Sequence, residues 1–279
     1  MAIMRNEDQI KFWDNEGGAF WAREADDLDV FLEPLSRAIL DAAQLTPEDR
    51  VLDIGCGPGA LALAAVKEAK AVLGVDLSSS LISLAQSRAE TQGVNDAEFV
   101  VADAAVYQPA HPANVILSRV GIMFFDQPVE AFAKIRQDAA PGARLSFASW
   151  GPYNENPWIV EALEKIKPLL LTPPPERDPN APGPFSLSQA DRVQSILAEA
   201  GWKDIVVTPW VEALGAPANT PEATAAFLAK ICPPARMAAN QGVEPEKIVA
   251  QLTALYQAKQ KQEGAIMIKG NALIVTAKA

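Results

Sequence analysis

The residues with the clearest chemical pattern lie between positions 51 and 103. In VLDIGCGPGALALA an apolar, strand-like run leads into glycines at 55, 57 and 59 and then directly into a helix-like segment. Glycines at such a turn let the backbone approach a ligand closely, and the helix start turns its free N–H groups toward it. The loop alone has two readings. Gly55, Gly57 and Ala60 satisfy the dinucleotide spacing with Ala in the last place, and Asp76 lies where a ribose-binding acid belongs. Asp53 argues for a different ligand, because a carboxylate two residues before the first glycine would repel a pyrophosphate. S-adenosylmethionine instead presents an ammonium and a sulfonium there, and the sign becomes favourable. Asp76 can then accept from both ribose hydroxyls, and Asp103 from the adenine amino group.

These acids need strands to carry them. From about 50 to 150, short β-branched runs alternate with helical patterns, which is the grammar of a parallel sheet covered on both faces. Strands are expected at 51–54, 71–75, 98–101, 114–117 and 144–149. A helix over 81–91 has Ser78 to Ser80 as caps and Gly93 as its stop, and 60–66 is apolar nearly all round, as in a buried helix. Ser188 with Asp191 resembles a capping box for a helix that ends at Gly201. Strands near 205–207 and within 265–275 are expected to pair with each other, for seven in all.

Two stretches interrupt this pattern. Residues 212–263 read as a helical insertion, with Thr220–Pro221 and Pro245 as helix starts. The segment 152–185 contains TPPPERDPNAPGPF, whose prolines argue against regular structure. The organisation expected is an N-terminal helical segment (1–44), a ligand-binding core (45–150), a Pro-rich cap insertion (151–187) and a C-terminal completion of the sheet (188–279).

Composition bounds the partners. The 279 residues are 49% hydrophobic and 21% charged, ordinary for a globular chain and not for a disordered one. With 24 Lys and Arg against 35 Asp and Glu, the net charge of −11 and the lack of a basic cluster disfavour nucleic acid. Cys56, Cys232 and His111 are too few for a disulfide framework or a soft-metal site, so no metal is expected. No signal-peptide core and no run of membrane-spanning length is visible, so the expected location is cytoplasmic, with a homodimer left open.

The motifs together resemble the class I S-adenosylmethionine-dependent methyltransferases. VLDIGCGPG looks like that family's first motif, LGVDLS its second and AEFVVADAAVY its third. ANVILSRVGIMFFDQPVEAFAKI is similar to the fourth with its following helix, and PGARLSFASW to the strand that closes the core. The SRVGIMFF stretch most resembles the branch of ubiquinone and menaquinone C-methyltransferases and bacterial small-molecule methyltransferases. The resemblance implies an α/β, Rossmann-like sheet of seven mostly parallel strands with a reversed last strand, helices on both faces, and a variable cap over the substrate. It implies Asp53, Gly55 and Gly57 at the methionine end, Asp76 and Leu77 at the ribose, Asp103 and Ala104 at the adenine and Ser118 beside the sulfonium, with Gly59 and Arg119 also counted among the cofactor-binding residues. Ser118-Arg119-Val120-Gly121 replaces the NPPY-type motif of many nucleic-acid and protein N-methyltransferases, which counts against a macromolecular substrate.

Other residues carry two readings each. Arg119 can orient an anionic group or hold Asp126. Phe12, Trp13, Phe20 and Trp21 either pack or fold over the cofactor, with Trp21 on its face and Arg23 near its carboxylate. Met123, Phe124, Trp158 and Phe185 are candidates for a substrate pocket that 169–171 and Phe227 would also line. Cys56 has no histidine to activate it and reads as packing, and His111 as surface. No catalytic residue is assigned; Asp126, Tyr153 and Glu155 qualify as bases by position only. The expected activity is methyl transfer to a small apolar or aromatic molecule, at oxygen or carbon. The alternatives are a non-catalytic partner module on the same fold and an NAD-dependent oxidoreductase.

Overall fold

A computed structural model of the chain describes residues 7–174, 181–217 and 220–279. Three helices come first: α1 (Glu7–Trp13), α2 (Glu16–Arg23) and α3 (Ala25–Ala43). The core follows as β1 (Arg50–Ile54), α4 (Ala60–Ala65), β2 (Ala71–Asp76), α5 (Ser79–Thr91), β3 (Ala97–Val101), β4 (Val115–Arg119), α6 (Pro128–Asp138) and β5 (Arg144–Trp150). The remainder is α7 (Pro157–Ile166), α8 (Ala190–Glu199), β6 (Lys203–Leu214), α9 (Pro221–Ile231), α10 (Pro233–Asn240), α11 (Pro245–Glu263) and β7 (Ile268–Lys278).

The strands form one seven-stranded sheet in the order β3-β2-β1-β4-β5-β7-β6. β1 to β5 pair in parallel, and β7 runs antiparallel between β5 and β6, as the reversed last strand requires. Both faces are covered, because neighbouring residues of a strand point to opposite sides. Ser146 of β5 donates to the Ile39 carbonyl of α3 at 2.9 Å, while Phe147 packs its ring on Phe132 of α6. The strand order reverses between β1 and β4, so the crevice at their carboxyl ends is the place where such sheets bind ligands.

Local signals set many boundaries. Ser78 caps α5 by accepting from the Leu81 N–H, and Thr220 caps α9 by accepting from Ala223. Gly93 and Gly201 hold the left-handed turns that end their helices. The Ser188 capping box does not form: the N-cap of α8 is Gln189, without a side-chain hydrogen bond, and Ser188 is buried. β6 extends through Leu214, beyond the expected 205–207, because its whole length finds a partner in β7.

The two interruptions of the core meet in space. α7, from the Pro-rich insertion, packs against α10 and α11, and α9 against α10 and α11, so segments far apart in sequence build a single helical cap. Regular structure within the first insertion was not expected from its prolines. It arises at Pro157, which occupies the first turn of α7, where a proline costs no hydrogen bond. Residues 175–180 of the proline run lie outside the described residues. No helix among the described residues is long and apolar enough to cross a membrane.

Candidate active site

A cavity of about 740 Å³ opens between the carboxyl ends of the strands, the N-terminal helices and the cap. That size suits a nucleoside cofactor together with a small organic molecule. The loop after β1 forms its floor. Gly55 has φ 63° and lies so close to the chain after β4 that a Cβ would meet the Gly121 Cα at 2.9 Å. Two backbones thus cross at the switch point with no room for side chains. Gly57, φ 54°, has nothing within 4 Å of its Cβ direction and presents bare backbone to the cavity. Gly59 belongs elsewhere. Its Cβ would meet Ala85 and the Phe99 ring, so it serves the packing of α4 against α5 and β3 and does not line the cavity.

The acids at the ends of β1, β2 and β3 all reach the cavity wall. Asp53 is 1% exposed, and neither of its carboxylate oxygens accepts a hydrogen bond, the Ala62 N–H approaching outside bonding geometry. Burial is the main influence and pushes its pKa up to about 7, against the opposing pull of the Arg119 charge. Asp76 is held by two backbone donors, Gly57 N–H to Oδ2 and Ser78 N–H to Oδ1, both at 2.9 Å. Burial raises its pKa, and these donors work against the rise. Asp103 accepts from the Ala105 N–H at 2.9 Å, and Leu77 and Ala104 stand beside the two acids in the wall.

Two expected site residues are committed to the frame. Ser118 is fully buried, donates to the Ile54 carbonyl at 2.7 Å and has no place in the wall, because it points along the sheet between β4 and β1. Arg119 reaches the wall but does not hold Asp126. It donates to Asp29 at 2.7 Å and to the Ser36 hydroxyl at 3.0 Å, both on α3. The other Asp29 oxygen takes Arg88, so one carboxylate ties β4, α3 and α5 together. Between Arg119 and Gly121, Val120 holds φ 53°, a conformation β-branched residues rarely adopt, and also lines the cavity. Nothing in the sequence marked it, since strain of this kind is imposed by the strands on either side.

Met123, Phe124, Trp158 and Phe185 all line the cavity. Phe124 meets Trp13 edge-on at 5.1 Å, and Trp158 meets Phe31 at 5.5 Å. Phe12, Trp13, Phe20 and Trp21 are wall residues too, so the N-terminal helices close one side of the cavity. Arg23 turns away to pair with Glu24. Phe227 is buried against Phe31 behind the wall, and 169–171 lie outside it. The positional base candidates Asp126, Tyr153 and Glu155 are not among the described wall residues. His111 is exposed just ahead of the amino end of β4, and Cys56 is buried, which pushes its thiol pKa up. The sequence pattern did not single out Trp150 or Arg236, which also reach the wall.

Residues 51–142 match a family model described as a methyltransferase domain. Aklanonic acid methyltransferase DauC of Streptomyces sp. (strain C5) is 28% identical over 123 residues, 43% of this chain and 56% of that protein. The chain spans about half the length of the curated relatives it matches. Among solved structures, YcgJ from Bacillus subtilis aligns over 88% of this chain and 98% of its own, with a TM-score of 0.56 and 19% identity. Phosphoethanolamine N-methyltransferase 2 of Haemonchus contortus, solved with S-adenosyl-L-methionine, aligns over 99% of this chain and 60% of its own, with a TM-score of 0.57 and 18% identity. The β3-β2-β1-β4-β5-β7-β6 sheet has the fold of these solved structures, and the glycine crossing at its switch point lies inside the segment, residues 51–142, that resembles a methyltransferase domain.

Proposed function

We propose that the protein transfers the methyl group of S-adenosylmethionine to a small organic molecule with an apolar or aromatic body, at oxygen or carbon. The observation that carries this reading is Asp53, a buried carboxylate with no hydrogen-bond partner among the described residues, beneath a glycine loop at the wall of a large cavity. A buried charge without a partner is costly, and a cationic ligand placed above the loop would relieve it. Pyrophosphate would make it worse, which disfavours the dinucleotide alternative.

The cofactor, when bound, supplies a methyl group on a cationic sulfur. The chain's own residues do the rest. Gly55 and Gly57 allow the methionine end to approach the backbone, and Asp53 balances its positive charge. Asp76, already oriented by Gly57 and Ser78, keeps lone pairs for the ribose hydroxyls beside Leu77. Asp103 and Ala104 receive the adenine. Arg119 positions Asp53 electrostatically from its anchorage on Asp29.

The aromatic wall excludes water and holds the acceptor against the methyl group, which is most of what an in-line displacement needs. Among the described wall residues no His, Tyr, Glu or Lys is present. The wall carboxylates Asp53, Asp76 and Asp103 are taken up by the cofactor in this reading, which favours an acceptor that enters already ionised or intrinsically nucleophilic. The name of DauC, a methyltransferase for an organic acid, is in keeping with a small-molecule substrate.

Parallel calorimetric titrations with S-adenosylmethionine, S-adenosylhomocysteine and NAD test the cofactor. The first two should bind and NAD should not; NAD binding alone would overturn the reading. Transfer of radiolabel from S-adenosylmethionine should then appear on small aromatic and polyketide-like acceptors and not on protein or nucleic-acid extracts.

A further inference from the structure

Helices α1 to α3 and the cap supply the half of the cavity that faces away from the sheet. Among their described wall residues, Arg236 of α10 is the one ionisable side chain. It is exposed at the rim, with its guanidinium over the Phe20 ring at 5.4 Å and no ion pair among the described residues. Arg23 lies over the same ring at 5.3 Å. Arg23 and Lys230 share a single carboxylate, Glu24, at 2.9 and 2.7 Å. This chain of contacts sets three cations against one anion, a local positive surplus on a protein whose net charge is −11.

Elsewhere the field of such a protein repels anions, so the surplus at the rim marks the path by which one can approach. Arg236 pairs with no carboxylate among the described residues, unlike Arg23 and Lys230, and a planar guanidinium matches a carboxylate with two parallel hydrogen bonds. The wall of the same cavity is aromatic, with Trp13, Trp21 and Phe185. Resting on the methyltransferase reading above, we propose that the substrate is an amphipathic organic anion, whose apolar body enters the aromatic half of the cavity while its carboxylate or equally acidic group is held by Arg236. Arg236 is thus the residue that selects anionic over neutral substrates.

The test uses two fluorescent probes of nearly equal shape, 1-pyrenebutyrate and 1-pyrenebutanol, titrated into the full chain without added cofactor. Wild type should bind the anion at least tenfold more tightly. Arg236→Gln should reduce that preference to less than twofold, and Arg236→Lys, which keeps the charge without the fork, should retain part of it. Equal affinity of the wild type for the two probes, including none for either, overturns the proposal, as does a preference that survives in Arg236→Gln. A separate titration of each protein with S-adenosylhomocysteine reads the cofactor end. Its failure would sink the methyltransferase reading while the probe pair still decides the anion preference.

Discussion

The carboxylate of Asp76 holds the amide of Gly57: Oδ2 accepts the Gly57 N–H at 2.9 Å, joining the end of β2 to the glycine loop nineteen residues earlier. One side chain therefore shapes the loop and offers its remaining lone pairs to the cavity. Asp76→Ala should weaken S-adenosylhomocysteine binding by a factor of a hundred or more, since it deletes ligand acceptors and frees a loop amide together. Asp76→Asn keeps one acceptor and should lose less. Calorimetry on both variants checks the order.

Asp53 predicts opposite pH trends for stability and for binding. Its pKa is raised from an ordinary 3.8 to about 7 by burial, so the folded state holds a proton that the unfolded chain has released. This group's contribution to stability is intact below about pH 4, falls as the pH rises toward 7, and stays low above it. Asp53→Asn should flatten that fall and stabilise the unliganded protein at pH 8 by roughly 2 kcal/mol. Affinity for S-adenosylhomocysteine should rise between pH 6 and 7.5 in the wild type, because the ionised carboxylate is the form that pairs with a cation. Denaturation and titration across this range would expose an error in either sign.

Gly57 and Gly59 should separate binding from folding. An Ala Cβ at Gly57 meets no atom, so Gly57→Ala should cost about 1 kcal/mol of backbone strain while blocking the ligand's approach. At Gly59 the Cβ would press on Ala85 at 3.0 Å and Phe99 at 3.1 Å, and φ is 84°. Gly59→Ala should therefore lower stability by about 2–4 kcal/mol. Thermal denaturation alongside S-adenosylhomocysteine titration distinguishes the two effects.

Arg119→Met removes the countercharge of Asp53 and one of two arginines on Asp29. Arg88 still pairs with Asp29, so the stability cost should stay near 1–3 kcal/mol. The pH midpoint of S-adenosylhomocysteine binding should move upward as Asp53 becomes harder to ionise. An unchanged midpoint would show that Arg119 serves the frame alone.

The core was legible because its determinants are local and periodic. Strand runs, the glycines at 55, 57 and 59, and the acids at or just past the ends of β1, β2 and β3 are spaced by a repeating strand-helix unit, so residue order implies spatial order. The caps at Ser78 and Thr220 and the stops at Gly93 and Gly201 are equally local. Ser118 and Gly59 show where this legibility ends. They sit inside recognisable motifs, yet whether each faced the ligand or the neighbouring element depended on which strand and helix packed beside it.

The sequence by itself therefore determined the sheet, the position of the ligand crevice and the sign of the charge awaiting a ligand there. Tertiary structure alone decided the rest. It joined two distant insertions into one cap, turned the N-terminal aromatics from a packing helix into a cavity wall, and left the Asp53 carboxylate without a hydrogen bond among the described residues. It also gathered Arg23, Lys230 and Arg236 around Phe20 and Glu24. Such arrangements come from contacts between residues more than two hundred positions apart, and neither periodicity nor capping chemistry carries information over that distance.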